Sequence, residues 1–209
     1  MAQTQWIRMN REQAGRVLNQ LSSRKDTVVF SRDVTDVSWR GLPFYANYRL
    51  CRLTNYATMP TFTMTYLTDG TEYISLDGTA NPIYTVDEKD PLLLTEANVI
   101  PYLEFFFSNV QGSEGDVFLI RDPHKMPFMD SLDTAQRQSI VQSFIPASVA
   151  FDSTLNAYKV NGTLHYGGVL MAAAIVVMPD GKISFQEQRL LLTGIHFPDS
   201  PYSQAWLEG

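Results

Sequence analysis

Three histidines, one cysteine and 22 Asp and Glu residues are the side chains from which this chain could assemble a reactive centre. Asp122 and His124 lie two apart around Pro123, a spacing that can turn an acid and an imidazole toward one ligand, with Asp130 and Asp133 close behind. A solvated, proline-containing loop accounts for the same residues more simply. His165, within Leu164-His165-Tyr166, alternates with apolar neighbours, so as a strand residue it should face solvent or a rim. A reactive role there needs an acid beside it. Cys51 sits between Leu50 and Arg52; Arg49 and Arg52 could lower its pKa, although a lone strand cysteine is ordinarily a small packing residue.

Motifs that would specify a reaction are missing. The chain has no G-x-x-x-x-G-K-[ST] or G-x-G-x-x-G, no G-x-S-x-G elbow, and no H-x-x-x-H or H-E-x-x-H. Gly112-Ser113-Glu114-Gly115 could aim amides at an anion, but Glu114 would repel it, and a loop after a helix is the better reading. Asp-Gly-Thr at 69–71 and again at 77–79 has the wrong order for an aspartic-protease loop and reads as turn punctuation. No cofactor or metal is expected, and catalysis is the less favoured reading. One alternative is a pocket between helix and sheet lined by aromatic rings (105–107, Tyr158, Tyr166, Phe185), although the same rings fill a solid core equally well. Its candidate lining and polar residues are Phe105, Asp122, His124, Tyr158, His165 and Tyr166.

Composition narrows the class. With 44% hydrophobic and 18% charged residues the chain can bury a sizeable core. Its 12 Phe, 10 Tyr and 3 Trp favour a β-rich interior. A net charge of −6 and scattered basic residues, the densest being Arg24-Lys25 and Arg49 with Arg52, argue against nucleic acid as a partner. A single cysteine and an N-terminus without a charged-then-apolar leader point to a reducing cytoplasm. The longest apolar run, 169–178, is too short for a membrane-spanning helix, and no membrane association is expected.

These residues need elements to position them. Asn10 and Gln13 form a capping-box pair ahead of Ala14, Val17, Leu18 and Leu21, one helical stripe that should stop near Ser22-Ser23. Short strands are expected at 27–30, 48–53, 61–67, 73–76 and 82–86, with Asp69-Gly70 turning a hairpin. A central helix carries Val99, Tyr102, Leu103, Phe106, Phe107 and Val110 on one face. Pro101 requires either a kinked start at Thr95 or a start at Asn98. Phe105 falls off that stripe and should meet a second element or a partner chain. Gly112 and Gly115 end the helix, a strand follows at 117–120, and a short helix at 134–143. The remainder reads as a meander: 147–151, then 157–160, a hairpin at Asn161-Gly162, one long strand at 163–178 with a break or bulge at Gly167-Gly168, and a return at 182–192. The tail 196–209, with Phe197, Tyr202 and Trp206, should dock on its own domain or a neighbour.

The expected fold class is α+β, antiparallel sheets packed on a central helix with a C-terminal β-meander, in one domain over 1–209. The alternative is a β-rich subdomain over 1–90 and a helix-plus-meander subdomain over 91–209. The pattern Leu92-Leu93-Leu94-Thr95, Asn98-Val99, Tyr102-Leu103, Phe105-Phe106, Gly115 and Phe118-Leu119-Ile120, with Leu76-Asp77-Gly78 and Pro82-Ile83 upstream, resembles a group of uncharacterised bacterial proteins of similar length. That resemblance implies a bacterial source and carries over no functional residue. Functionally, the sequence points to a soluble, non-catalytic binding or interaction module, with a homo-oligomer or a protein as partner; the alternative is a small-molecule carrier or enzyme using the aromatic pocket.

Overall fold

The computed structural model of the chain describes residues 5–24, 27, 29–126, 129 and 132–194. They form an α+β protein of two compact units, one made of the described residues up to Asp77 with Asn81–Leu93, the other of Gly78–Ala80 with those from Leu94 to Gly194.

The first unit is a five-stranded antiparallel sheet in the order β1 (Ile7–Arg8), β2 (Thr35–Gly41), β3 (Arg49–Asn55), β4 (Phe62–Thr68), β5 (Tyr73–Ser75). Helix α1 (Arg11–Leu21) starts at Asn10, whose side chain accepts the Gln13 N–H at 2.9 Å while Gln13 Oε1 accepts the Asn10 N–H. Its stripe Val17, Leu18 and Leu21 buries against Val37, Cys51, Leu53 and Tyr66, one face of the sheet. Each fully buried leucine stabilises such a core by about 2 kcal/mol.

Two expectations fail in this unit. The described residues of 27–30 make no strand: the Thr27 hydroxyl donates to Leu21 O at 2.7 Å and Arg24 O at 2.9 Å, and Phe30 N–H donates to Thr27 O. These bonds close off the end of α1 and leave no strand ladder. Segment 82–86 is helical, within α2 (Asn81–Lys89). Pro82 lies in the first turn, where its missing N–H is not needed and its φ is already helical. Pro82, Ile83, Val86 and Asp87 are buried at helical spacing. Polar clamps hold α2. Tyr45 donates to Asp87 at 2.5 Å, Lys89 and Tyr48 both bond Glu72, and buried Asp90 accepts from Asn47 N, Asn47 Nδ2 and Tyr48 N. Asp87 and Asp90 are buried and hydrogen-bonded, as packing requires, while Glu72 stays partly exposed.

The second unit holds an antiparallel sheet in the order β10 (Ile183–Leu192), β9 (Val169–Val177), β8 (Ala157–Tyr166), β6 (Phe118–Ile120); β7 (Ser148–Asp152) shares with β6 the outer edge of β8. Strands β8, β9 and β10 are the C-terminal meander. Helix α3 (Val99–Asn109) begins at Asn98, so Pro101 falls in the tolerant first turn and no kink is needed. Besides Val99, Tyr102, Leu103, Phe106 and Phe107, it buries Phe105, which is only 3% exposed. A helix apolar on nearly every side is a core helix. Helix α4 (Thr134–Ser143) carries a second capping box, Asp133 with Gln136, and brings Ile140 onto Ile120, Met126, Leu132 and Leu170.

Asn161-Gly162 is not a hairpin. Both residues lie inside β8, paired with Ala174 and Ala173, and a Cβ at Gly162 would meet Ala147 Cα at 3.3 Å. Close packing, not turning, requires that glycine. The reversals sit elsewhere. Asn156 takes a φ of 49° between β7 and β8, and Gly167-Gly168, with φ of 57° and 77°, divide the single strand expected at 163–178 into β8 and β9. The expected docking of tail 196–209, with Phe197, Tyr202 and Trp206, lies outside the described residues.

Candidate binding groove

The broadest concavity among those described is a groove of about 700 Å3 in the first unit, between α1 and the segment 32–37 that enters β2. Local folding sets its walls. Met9 is held beside β2 by its N–H donating to Val37 O at 2.8 Å, and Val34 O accepts the Tyr56 N–H at 3.1 Å, which brings Tyr56 and Ala57 to the far end. Ala14, Gly15 and Leu18 form the helical wall, and with Met9, Val34 and Val37 they make an apolar floor.

Three guanidinium groups and two carboxylates surround that floor. Arg8 pairs with Asp36, and Arg11 with Asp33 at 3.3 Å, both at exposed positions where such pairs contribute little to stability. Arg32 is the surplus charge. Its Nη2 donates to Asn19 Oδ1 at 2.8 Å, a neutral partner, and its guanidinium lies against Gly15.

Thr35 adds an unmet polar demand. It shares with Val37 the face of β2 that α1 covers, it is 8% exposed, and its hydroxyl has no hydrogen-bond partner among the described residues. Asn55, directly opposite in the register, does not supply one: its amide donates to Val29 O at 2.6 Å and accepts the Ala57 N–H at 2.7 Å. A buried hydroxyl left unpaired costs about 1–3 kcal/mol, which makes such groups uncommon away from functional sites. A hydroxyl, an unneutralised guanidinium and an apolar floor can bind and orient a small anion. No imidazole or thiol lines the groove.

The six residues singled out from sequence do not converge on one site. Phe105 is core. Asp122 caps a single 3-10 turn at Pro123–Lys125 by accepting the His124 N–H at 2.9 Å, so that pair is local turn chemistry. His124 lines a shallow cavity of about 550 Å3 with Met129, Arg137, Gln138, Val141 and Gln142. Tyr158 donates to Leu94 O at 2.8 Å and packs edge-on to Phe151. His165 is not at a rim: it is 4% exposed, opposite Phe118 in the register and 6.1 Å from its ring. Tyr166 accepts the Glu114 N–H at 2.9 Å and lies 3.0 Å from the Ser113 hydroxyl, which explains the 112–115 loop as a seat for its ring. None of these five besides His124 lines a described groove. Phe185 stacks on Phe107 at 6.2 Å, again as packing. Cys51 is buried, and burial pushes its thiol up to about 12, against the lesser pull of Arg49. The arginines therefore do not activate it. Asp130 and His196 lie outside the described residues.

Sequence reasoning missed Arg8, Arg11, Arg32 and Thr35 as a group. Asp-Val-Thr-Asp at 33–36, directly after Arg32, was the available signal, a polar run entering a strand opposite a capped amphipathic helix. Among the described residues, no three His, Cys, Asp or Glu side chains gather as a metal site would require, and no helix is long and apolar enough to cross a membrane. Residues of the Leu76–Ile120 pattern noted in the sequence serve the fold. Tyr102, Leu103 and Phe106 are buried, and Gly78, with φ of 87°, accepts the Gln111 N–H at 2.8 Å. No protein family matches this chain, and neither does any curated protein or any solved structure.

Proposed function

We propose that this protein is a non-catalytic binding module whose ligand site is the groove between α1 and 32–37. The observation that carries the reading is the Thr35 hydroxyl, buried beside an apolar floor and without a partner among the described residues. A bound molecule that supplies its hydrogen bond would offset that cost. Supporting it, the three residue types expected to do chemistry are used in packing or turns: Cys51 as a protonated core thiol, His165 as a buried strand residue, Asp122 as a cap. A bacterial source and a cytoplasmic setting belong to the same proposal, resting on the resemblance and on one reduced, buried thiol.

Native mass spectrometry of the protein as purified, beside the variant Ala14→Phe, tests it. Ala14 is half-buried on the groove wall, so the added ring fills the groove without entering the core. A small-molecule adduct on the native chain that Ala14→Phe lacks supports the reading; no adduct, or one held equally by both, contradicts it.

A second reading, a protein-binding or self-associating module, is favoured by β10. Its residues 184–190 are all exposed, Phe185 and Leu190 among them, and β9 is its one strand neighbour among the described residues. Outer strands with exposed apolar residues are pairing surfaces. Light scattering of the native chain and of Phe185→Lys with Leu190→Lys tests it, and a monomer in both cases rules out self-association.

A further inference from the structure

We infer that the groove takes a small organic monocarboxylate with an apolar body, an inference that rests on the groove being the ligand site. The charge balance sets the ligand's charge. Arg8 and Arg11 are each matched by a carboxylate, Asp36 and Asp33, while Arg32 has only the neutral Asn19 amide. One unneutralised guanidinium fits one negative charge; a phosphate dianion would meet the Asp33 and Asp36 carboxylates with its second charge uncompensated.

The shape of Arg32 sets the anion's form. Guanidinium is a planar fork of five N–H donors that matches the two oxygens of a carboxylate. Asn19 holds one arm, and Gly15 provides the flat surface: a Cβ there would stand 3.4 Å from Arg32 Cζ. The group is thus positioned before a ligand arrives and keeps donors to offer, which lowers the ordering cost of binding. A carboxylate oxygen seated at the base of the groove gives the Thr35 hydroxyl the acceptor it lacks.

The floor sets the rest of the molecule. Met9, Ala14, Leu18, Val34 and Val37 offer apolar surface, and a groove of about 700 Å3 is of the size that encloses a small organic ligand. Each buried methylene should tighten binding about threefold to fourfold.

Calorimetric titration of the full chain with sodium hexanoate, 1-hexanol and hexylammonium chloride tests the inference, using the native protein, Arg32→Gln, Thr35→Val and Ala14→Phe. Expected are preference for hexanoate over hexanol by about tenfold, loss of that preference in Arg32→Gln, weaker hexanoate binding in Thr35→Val, and no binding in Ala14→Phe. Hexanol or hexylammonium bound as tightly as hexanoate, yet lost in Ala14→Phe, overturns the carboxylate inference and leaves the groove standing as a site. Absence of binding by every probe, or binding that Ala14→Phe does not affect, overturns both.

Discussion

The guanidinium of Arg32 lies across Gly15 of α1, close enough that a Cβ on the glycine would stand 3.4 Å from Cζ. This contact joins the helix to the segment entering β2 on the rim of the groove, and it fixes a cation that has no acidic partner among the described residues. Gly15 is otherwise an expensive residue inside a helix.

Substitutions at Gly15 should separate stability from binding. A Cβ at 3.4 Å is an ordinary contact, so Gly15→Ala should raise stability by about 0.5–1 kcal/mol through helix propensity and leave Arg32 in place. Gly15→Leu should push Arg32 off Asn19, and ligand affinity should fall while the helix signal in circular dichroism persists. Urea denaturation and titration of both variants check this; equal affinity in Gly15→Leu and the native chain would show that Arg32 is not needed where it lies.

Tyr166 and Gly112 make the opposite case. A Cβ at Gly112 would lie 2.6 Å from Tyr166 Cε2 and 2.9 Å from its hydroxyl, a clash within a loop that the same hydroxyl holds. Gly112→Ala should therefore destabilise by about 1–3 kcal/mol, as overpacking does. Tyr166→Phe, which removes the bond from Glu114 N–H, should cost about 1 kcal/mol. Denaturant midpoints of the two variants measure both.

Glu72 should contribute an acid-sensitive part of stability in the first unit. Hydrogen bonds from Lys89, and next from Tyr48, hold its carboxyl below the ordinary value of 4.5. A depressed folded pKa means that the unfolded chain binds more protons. The contribution is present above about pH 4.5 and is lost as the pH falls through the folded value. The group is exposed, so the amount is a few tenths of a kcal/mol. Glu72→Gln should be less stable than the native chain at pH 7, by urea midpoint, and the difference should shrink as the pH falls below the ordinary carboxyl value. Tyr48 acts at the other end. Burial, then Glu72, raise its phenol, and that contribution is present below pH 10 and lost as the pH rises.

Cys51 should report unfolding and not reactivity. It is 1% exposed and its thiol is raised to about 12, chiefly by burial, so thiolate is scarce at neutral pH. A disulfide reagent should label it only when the chain opens, with rates that rise with urea. Labelling in native buffer at the rate of a free thiol would contradict the packing described.

What the sequence shows and what it hides divide along the range of the interactions. Asn10 with Gln13 marks α1 because a capping box is complete within four residues. The alternation at 61–67 marks β4, observed at Phe62–Thr68, for a similarly local reason. Pro82 to Val86 misleads because β-branched and aromatic residues favour strands, while the helix is decided by burial of Ile83 and Val86 within the unit. Asn161-Gly162 misleads because a turn-forming dipeptide here sits inside β8, between β7 and β9, where pairing keeps it straight. The groove was least legible. Arg8, Arg32 and Thr35 meet only through the pairing of β1 with β2 and the docking of α1, and an unpaired hydroxyl is a property of what surrounds it, in this case an Asn55 already committed elsewhere.

The most direct measurement is the amide chemical-shift map of the full chain titrated with sodium hexanoate. The account predicts saturable shifts gathered on α1 from Ala14 to Leu18 and on 32–37, with Thr35 among the largest. Saturable shifts centred on β10 or around His124, or none at all, would contradict it.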